Sequence, residues 1–174
     1  TNNIEIISTG GTKSSIEKTG IPVISVSEII NQKEIMDGRV KTLHPSLFGG
    51  ILADRENKSH LLDLASINSL EIDLVIINLY PFESEAVKNK LDLEKAIEYI
   101  DIGGPSMLRA AAKNFKYVIP LCEFSQYDFF INEYKINKGL FSVEQRVDYA
   151  KIVFNKTMTY DYLINKYFCD KTEP

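Results

Sequence analysis

Five side chains that could carry chemistry, Arg39, Lys41, Tyr80, Asp101 and Lys113, lie in or beside stretches rich in glycine and proline. Arg39 and Lys41 belong to "GRVKTLHPSLFGG" (38–50), where glycine and proline disfavour a long regular element. The cations are therefore expected on a shaped loop or at a helix entrance. In "IDIGGPSMLRAAAKN" (100–114), Asp101 precedes a glycine pair that opens a helix, so Ile102, Gly103 and Gly104 can offer N–H groups to a developing oxyanion. Two lysines, a tyrosine, a carboxylate and helix-start amides suit proton shuttling and oxyanion stabilisation without a metal. Lys113 falls about two and a half turns after Gly104, so any meeting with Asp101 has to be tertiary. A plainer account makes Asp101 a helix cap and Lys113 a favourable C-terminal charge.

A second cluster reads as an anion cradle. "STGGT" (8–12) leaves an apolar run and enters a helix. Gly10 and Gly11 permit a tight turn that presents amides, while Ser8, Thr9 and Thr12 add hydroxyls beside the positive end of a helix dipole. Neither the Walker spacing nor the G-x-G-x-x-G fingerprint is present, and a plain strand-to-helix turn would look the same. "NLYPF" (78–82) sets Asn78 and Tyr80 at the end of an apolar strand that Pro81 stops, although a tyrosine there is commonly just a half-buried aromatic. With no nucleophile elbow, Ser-His-Asp order or Cys-His pair in view, covalent hydrolase chemistry is disfavoured.

These residues need a scaffold, and the apolar patterning supplies one. Strands are expected at 4–9, 21–26, 72–80 and 117–122, and helices at 12–20, 57–70, 91–100, 104–114, 123–137 and 142–168. The near-continuous apolar run "IDLVIINLY" suits a parallel strand covered on both faces. Alternation of strand and helix predicts an α/β fold, a three-layer α/β/α domain around a parallel sheet, with ligands beyond the carboxyl ends of its strands.

The 174 residues, 44% of them hydrophobic, suit one globular domain, and a net charge of −4 argues against a general nucleic-acid or anionic-membrane surface. No apolar run approaches the length of a bilayer span, and "TNNIEI" has no signal-peptide character. Two distant cysteines and two unpaired histidines give neither a disulfide framework nor a zinc pattern. The chain is expected to be cytoplasmic, with no cofactor or metal.

Together, "STGGT", "GRVKTLHP" with "GGIL", "NLYPF" and "IDIGGPSMLRAAAKN" closely resemble, in order and spacing, the IMP cyclohydrolase domain of the bifunctional AICAR transformylase/IMP cyclohydrolase, over about residues 4–168. That resemblance implies a methylglyoxal-synthase-like (Rossmann-like) fold over residues 1–170. It also implies dehydrative ring closure of 5-formamidoimidazole-4-carboxamide ribonucleotide (FAICAR) to inosine monophosphate (IMP), the last step of purine synthesis. The loop Ser8–Thr12 would hold the 5′-phosphate, and Arg39, Lys41 and Thr42 would line its pocket. Lys41, Tyr80, Asp101 and Lys113 would be catalytic, with the amides of Ile102 and Gly103 beside the reacting groups; Asn78 and Gly104 are placed with the substrate-binding set.

The parent family is dimeric, so a homodimer is expected, joined in the full-length enzyme to a transformylase domain. The family's first strand and helix, with a Ser-Asp-Lys region, are expected to be absent here, as is the transformylase domain. Two rivals are weighed. Methylglyoxal synthase would want a Gly-Gly-Asp signature where "FGGIL" has no aspartate, and a nucleotide-sensing regulatory domain would need the phosphate loop but not Lys41, Asp101 and Lys113 together.

Overall fold

The computed structural model describes residues 4–172. The chain divides into two compact units, residues 1–71 and 72–174.

In the first unit, strand β1 (Ile7–Ser8) leads into helix α1 (Gly10–Glu17), and the chain returns through β2 (Ile24–Ser25) into the single turn α2 (Val26–Ile29). β1 and β2 pair in parallel with Ile7 opposite Ile24 and Ser8 opposite Ser25. The crossover through α1 is what parallel pairing demands, since a short hairpin cannot reverse the chain twice. A tight loop follows, closed by an antiparallel bridge between Ile35 and Val40, with Met36, Asp37 and Gly38 all at positive φ. Helices α3 (Pro45–Leu52) and α4 (Lys58–Ser66) complete the unit. Their close approach needs Gly49, where a Cβ would press on Leu64 at 3.1 Å. The glycine- and proline-bearing stretch expected to avoid long structure thus does hold one two-turn helix: Pro45 occupies its first turn and the His44 ring accepts the Ser46 N–H at 3.2 Å.

In the second unit, β3 (Leu74–Ile76) pairs in parallel with β4 (Ile119–Leu121), and helix α6 (Gly103–Lys113) lies between them in sequence. Pro81 ends the apolar run as expected, and a π-helical turn, Glu83–Val87, follows it. Short α5 (Leu93–Ala96) runs into a 3₁₀ turn, Ile97–Tyr99. A second 3₁₀ turn, Phe124–Gln126, precedes α7 (Tyr127–Ile136), and the 30-residue helix α8 (Val143–Thr172) ends the described chain. α6 buries Leu108 together with Gly104 and Ala110–Ala112, and these last, being small, let it lie close to its neighbours. α8 buries Tyr149, Val153, Thr157, Tyr160 and Tyr167, a stripe at three-, four- and seven-residue steps.

The strands are shorter than the apolar runs that announced them, because a ladder ends where its partner turns away; Ile77 adds one more bond to the Leu121 carbonyl, at 2.9 Å. Burial also corrects one expectation. β4 is buried throughout, whereas β3 passes from half-buried Leu74 to buried Val75 to exposed Ile76, so the doubly covered strand is the later one.

Candidate active site

The first unit gathers part of the expected constellation around a cavity of about 220 Å³. Thr9 and Gly10 line it from the β1–α1 turn, and Lys41 lines it from the far side of the tight loop. The turn suits an anion for local reasons. Gly10 sits at φ +54°, the first bond of α1 is Lys13 N–H to the Thr9 carbonyl at 3.3 Å, and Thr9 makes no side-chain cap. The amides of Gly10, Gly11 and Thr12 therefore precede the first intrahelical bond and need a partner from elsewhere. Among the described residues, no hydrogen bond or ion pair engages the Lys41 ammonium.

Sequence reasoning missed the opposite wall, formed by Ser25, Ser27, Gln32 and Glu34. Ser25 could have been found from the strand pairing: in a parallel ladder Ser8 and Ser25 end at the same edge. The Ser25 and Ser27 hydroxyls bond one another at 2.7 Å. Thr42 is buried, with its carbonyl accepting the His44 N–H at 2.9 Å, and Arg39 is exposed.

The second unit gathers the rest. The segment just beyond β3 and the start of α6 meet, because a Cβ on Gly104 would lie 3.1 Å from the Leu79 side chain. Leu79 is buried, and it is flanked by exposed Asn78 and Tyr80. Asn78 is held by the Tyr127 hydroxyl, to which its Nδ2 donates at 2.6 Å. Asp101 enters α6 with Oδ1 accepting the Gly104 N–H at 2.9 Å, so it does cap the helix. The Gly104 amide is consequently occupied and is not one of the open donors expected at this helix start. Pro105 has no N–H, and Ser106 N–H makes the first intrahelical bond, to Ile102, at 3.2 Å. Gly103 is left as the α6 donor without an intrahelical partner, beside exposed Ile102.

Lys113 lies in the last turn of α6, exposed, about 15 Å along the axis from Gly103. Among the described residues no ion pair joins it to Asp101, so the tertiary meeting that the spacing would have required is not made by direct contact. The residue that does hold Asp101 was not anticipated. The Asp101 N–H donates to the Tyr160 hydroxyl at 2.8 Å, and that hydroxyl donates to the Tyr99 carbonyl at 3.1 Å. Burial pushes the Tyr160 phenol up from its ordinary value, which keeps the proton it donates. Its partner lies 59 positions away in sequence, beyond the reach of local patterning.

The glycines of "FGGIL" lie inside α3, where Gly49 serves helix packing and Gly50 is buried, so they form no catalytic loop there. Among the described residues no group of three or more His, Cys, Asp or Glu side chains is placed to hold a metal, and no helix is long and apolar enough to cross a membrane.

Parallel β–α–β pairings with amides and cations at the strand ends define the class: the chain belongs to the MGS-like domain family, whose model matches residues 1–106. Residues 111–174 match a second family model, described as the AICARFT/IMPCHase bienzyme. The chain is 48% identical over 165 residues to the bifunctional purine biosynthesis protein PurH of Leptospira biflexa, covering 95% of this chain and 32% of the relative. It is 47% identical over 169 residues to PurH of Listeria monocytogenes, covering 97% and 33%. The chain thus spans about a third of the length of these curated relatives. A crystal structure of ForH superposes with a TM-score of 0.84 at 32% identity, covering 99% of this chain and 88% of that one. The resemblance read from the motifs is borne out at the level of family, and the context that the relatives' names give is purine biosynthesis.

Proposed function

We propose that this chain carries IMP cyclohydrolase chemistry, closing FAICAR to IMP with loss of water. The observation that supports it most is the meeting of Asn78–Tyr80 with the Asp101–Gly104 helix start, which sets a carboxylate, a phenol and an unspent amide on neighbouring segments. The carboxamide nitrogen of the substrate attacks the formyl carbon, forming the new C–N bond as it loses a proton. The formyl oxygen becomes an oxyanion, takes up protons and departs as water, leaving the ring C=N bond.

Asp101 is assigned the base: Oδ1 is tied to Gly104, and Oδ2 has no hydrogen-bond partner among the described residues. The Ile102 and Gly103 amides are assigned to the oxyanion and Tyr80 to orienting the carboxamide. In the first unit, Ser8–Thr12 is assigned the 5′-phosphate, with Arg39 and Thr42 as further binding residues and Lys41 a catalytic cation. Lys113 is assigned charge on the substrate, acting independently of Asp101. Because the reaction is intramolecular, orientation supplies much of the rate.

The decisive experiment adds FAICAR and follows the absorbance of IMP. Turnover by the wild-type chain, lowered roughly 10²–10⁴-fold by Asp101→Asn, is expected for loss of one acid–base group. Binding of nucleotide without turnover would instead make the chain a sensor.

A further inference from the structure

We propose that Tyr160 is a positioning residue for the ring closure, fixing the main chain at Asp101 so that its carboxylate is presented in one orientation. This rests on Asp101 being the base. Between the 3₁₀ turn that ends at Tyr99 and the start of α6, the backbone leaves regular structure: Ile100 is extended, with φ −82° and ψ 108°. The Tyr99 carbonyl and Asp101 N–H therefore have no helical ladder to complete. One side chain from α8 closes both, accepting from Asp101 at 2.8 Å and donating to Tyr99 at 3.1 Å. Tyr160 is 6% exposed, so water has little access to substitute for its hydroxyl.

The hydroxyl bridges the peptide units on either side of Ile100 and sets the direction in which Asp101 leaves the backbone. The carboxylate is then clamped a second time, by the Gly104 N–H on Oδ1. Two clamps, one on the main chain and one on the side chain, leave Oδ2 as the carboxylate oxygen of Asp101 without a hydrogen-bond partner among the described residues. Nothing in this arrangement requires Tyr160 to touch substrate; it acts through Asp101.

α8 supplies its own control. Tyr167, 4% exposed, donates its hydroxyl to the Leu91 carbonyl at 2.7 Å, a bond of the same kind made to a segment that carries none of the proposed chemistry. Tyr160→Phe and Tyr167→Phe should both lower the melting temperature. Only Tyr160→Phe should lower kcat for FAICAR, about ten-fold with KM within two-fold, as expected when a reacting group is misplaced without losing substrate contacts. In an Asp101→Asn background, Tyr160→Phe should have no further effect on kcat.

A second readout needs no turnover. Amide hydrogen exchange at Gly104 should accelerate about ten-fold in Tyr160→Phe and stay unchanged in Tyr167→Phe. An unchanged Gly104 rate overturns the proposal, as does a ten-fold kcat loss that persists in the Asp101→Asn background or appears equally in Tyr167→Phe. If Asp101→Asn turns over at the wild-type rate, or the wild type does not turn over, the cyclohydrolase reading is what fails, and the Gly104 exchange rate still decides whether Tyr160 positions Asp101.

Discussion

Gly104 has no side chain because the Asp101 carboxylate occupies the place where its Cβ would be. The same missing atom keeps the helix start in contact with Leu79. Gly104→Ala should therefore expel the carboxylate from its cap and push α6 off the β3 exit. Overpacking of this kind costs about 1–3 kcal/mol. The expected result is a lowered urea midpoint at unchanged slope, with FAICAR turnover falling at least as far as in Tyr160→Phe.

Asn78 offers a milder test of the same region. Its amide is tied to Tyr127 at the start of α7. Tyr127→Phe keeps the ring that packs against the cluster of Ile119, Leu121 and Tyr149 while releasing Asn78. A stability change of about 0.5–1.5 kcal/mol is expected from one such bond. If Asn78 holds substrate, KM for FAICAR should rise several-fold with kcat nearly constant; an unchanged KM would remove Asn78 from the binding set.

The cavity of the first unit makes a prediction about charge. Its amides and Lys41 should respond to a phosphate and ignore an uncharged nucleoside. Inosine monophosphate should raise the melting temperature in proportion to the logarithm of its concentration, and inosine should not. Lys41→Ala should weaken that protection. Equal protection by both compounds would place the phosphate elsewhere.

Alkaline stability should be set in part by two buried acids of the second unit. Burial pushes the Cys122 thiol up to about 11, and burial with the Glu133 hydrogen bond pushes the Tyr149 phenol up as well. Both are raised in the folded state, so above pH 9 the unfolded chain gives up the thiol proton while the folded chain retains it. Stability from Cys122 is thus complete below about pH 9 and is lost as pH rises through about 11, by roughly 2–3 kcal/mol in all. Cys122→Ala should flatten the stability profile over that window. At neutral pH a maleimide should label one thiol per native chain, the exposed Cys169, and two after unfolding.

Much of this architecture can be read from the chain. α6 and α8 are announced by long stripes of small and apolar residues, and the β1–α1 turn by its glycines. What escapes such reading is set by partners distant in sequence. The strand lengths depend on where the paired strand stops, which is why a nine-residue apolar run yields three residues of β3. The helix-start amides look equivalent in sequence, yet Asp101 takes the one at Gly104 and leaves Gly103. Ser25 and Glu34 enter the cavity wall only through the β1–β2 register and the fold of the loop after α2. Tyr160 looks like one more apolar member of a buried stripe until its hydroxyl is found on Asp101.

α8 therefore works as a key whose teeth are cut at fixed angles. Tyr149 reaches Glu133, Lys156 reaches Glu123, Tyr160 reaches Tyr99 and Asp101, and Tyr167 reaches Leu91. A residue inserted between Thr157 and Tyr160 would turn every later tooth by about 100° while leaving the helix itself intact. Such a change removes no side chain and creates no cavity by its chemistry, yet it would unlock Asp101 and Leu91 at once. Helical phase along α8 is thus part of what this sequence encodes, as much as the identity of any residue in the site.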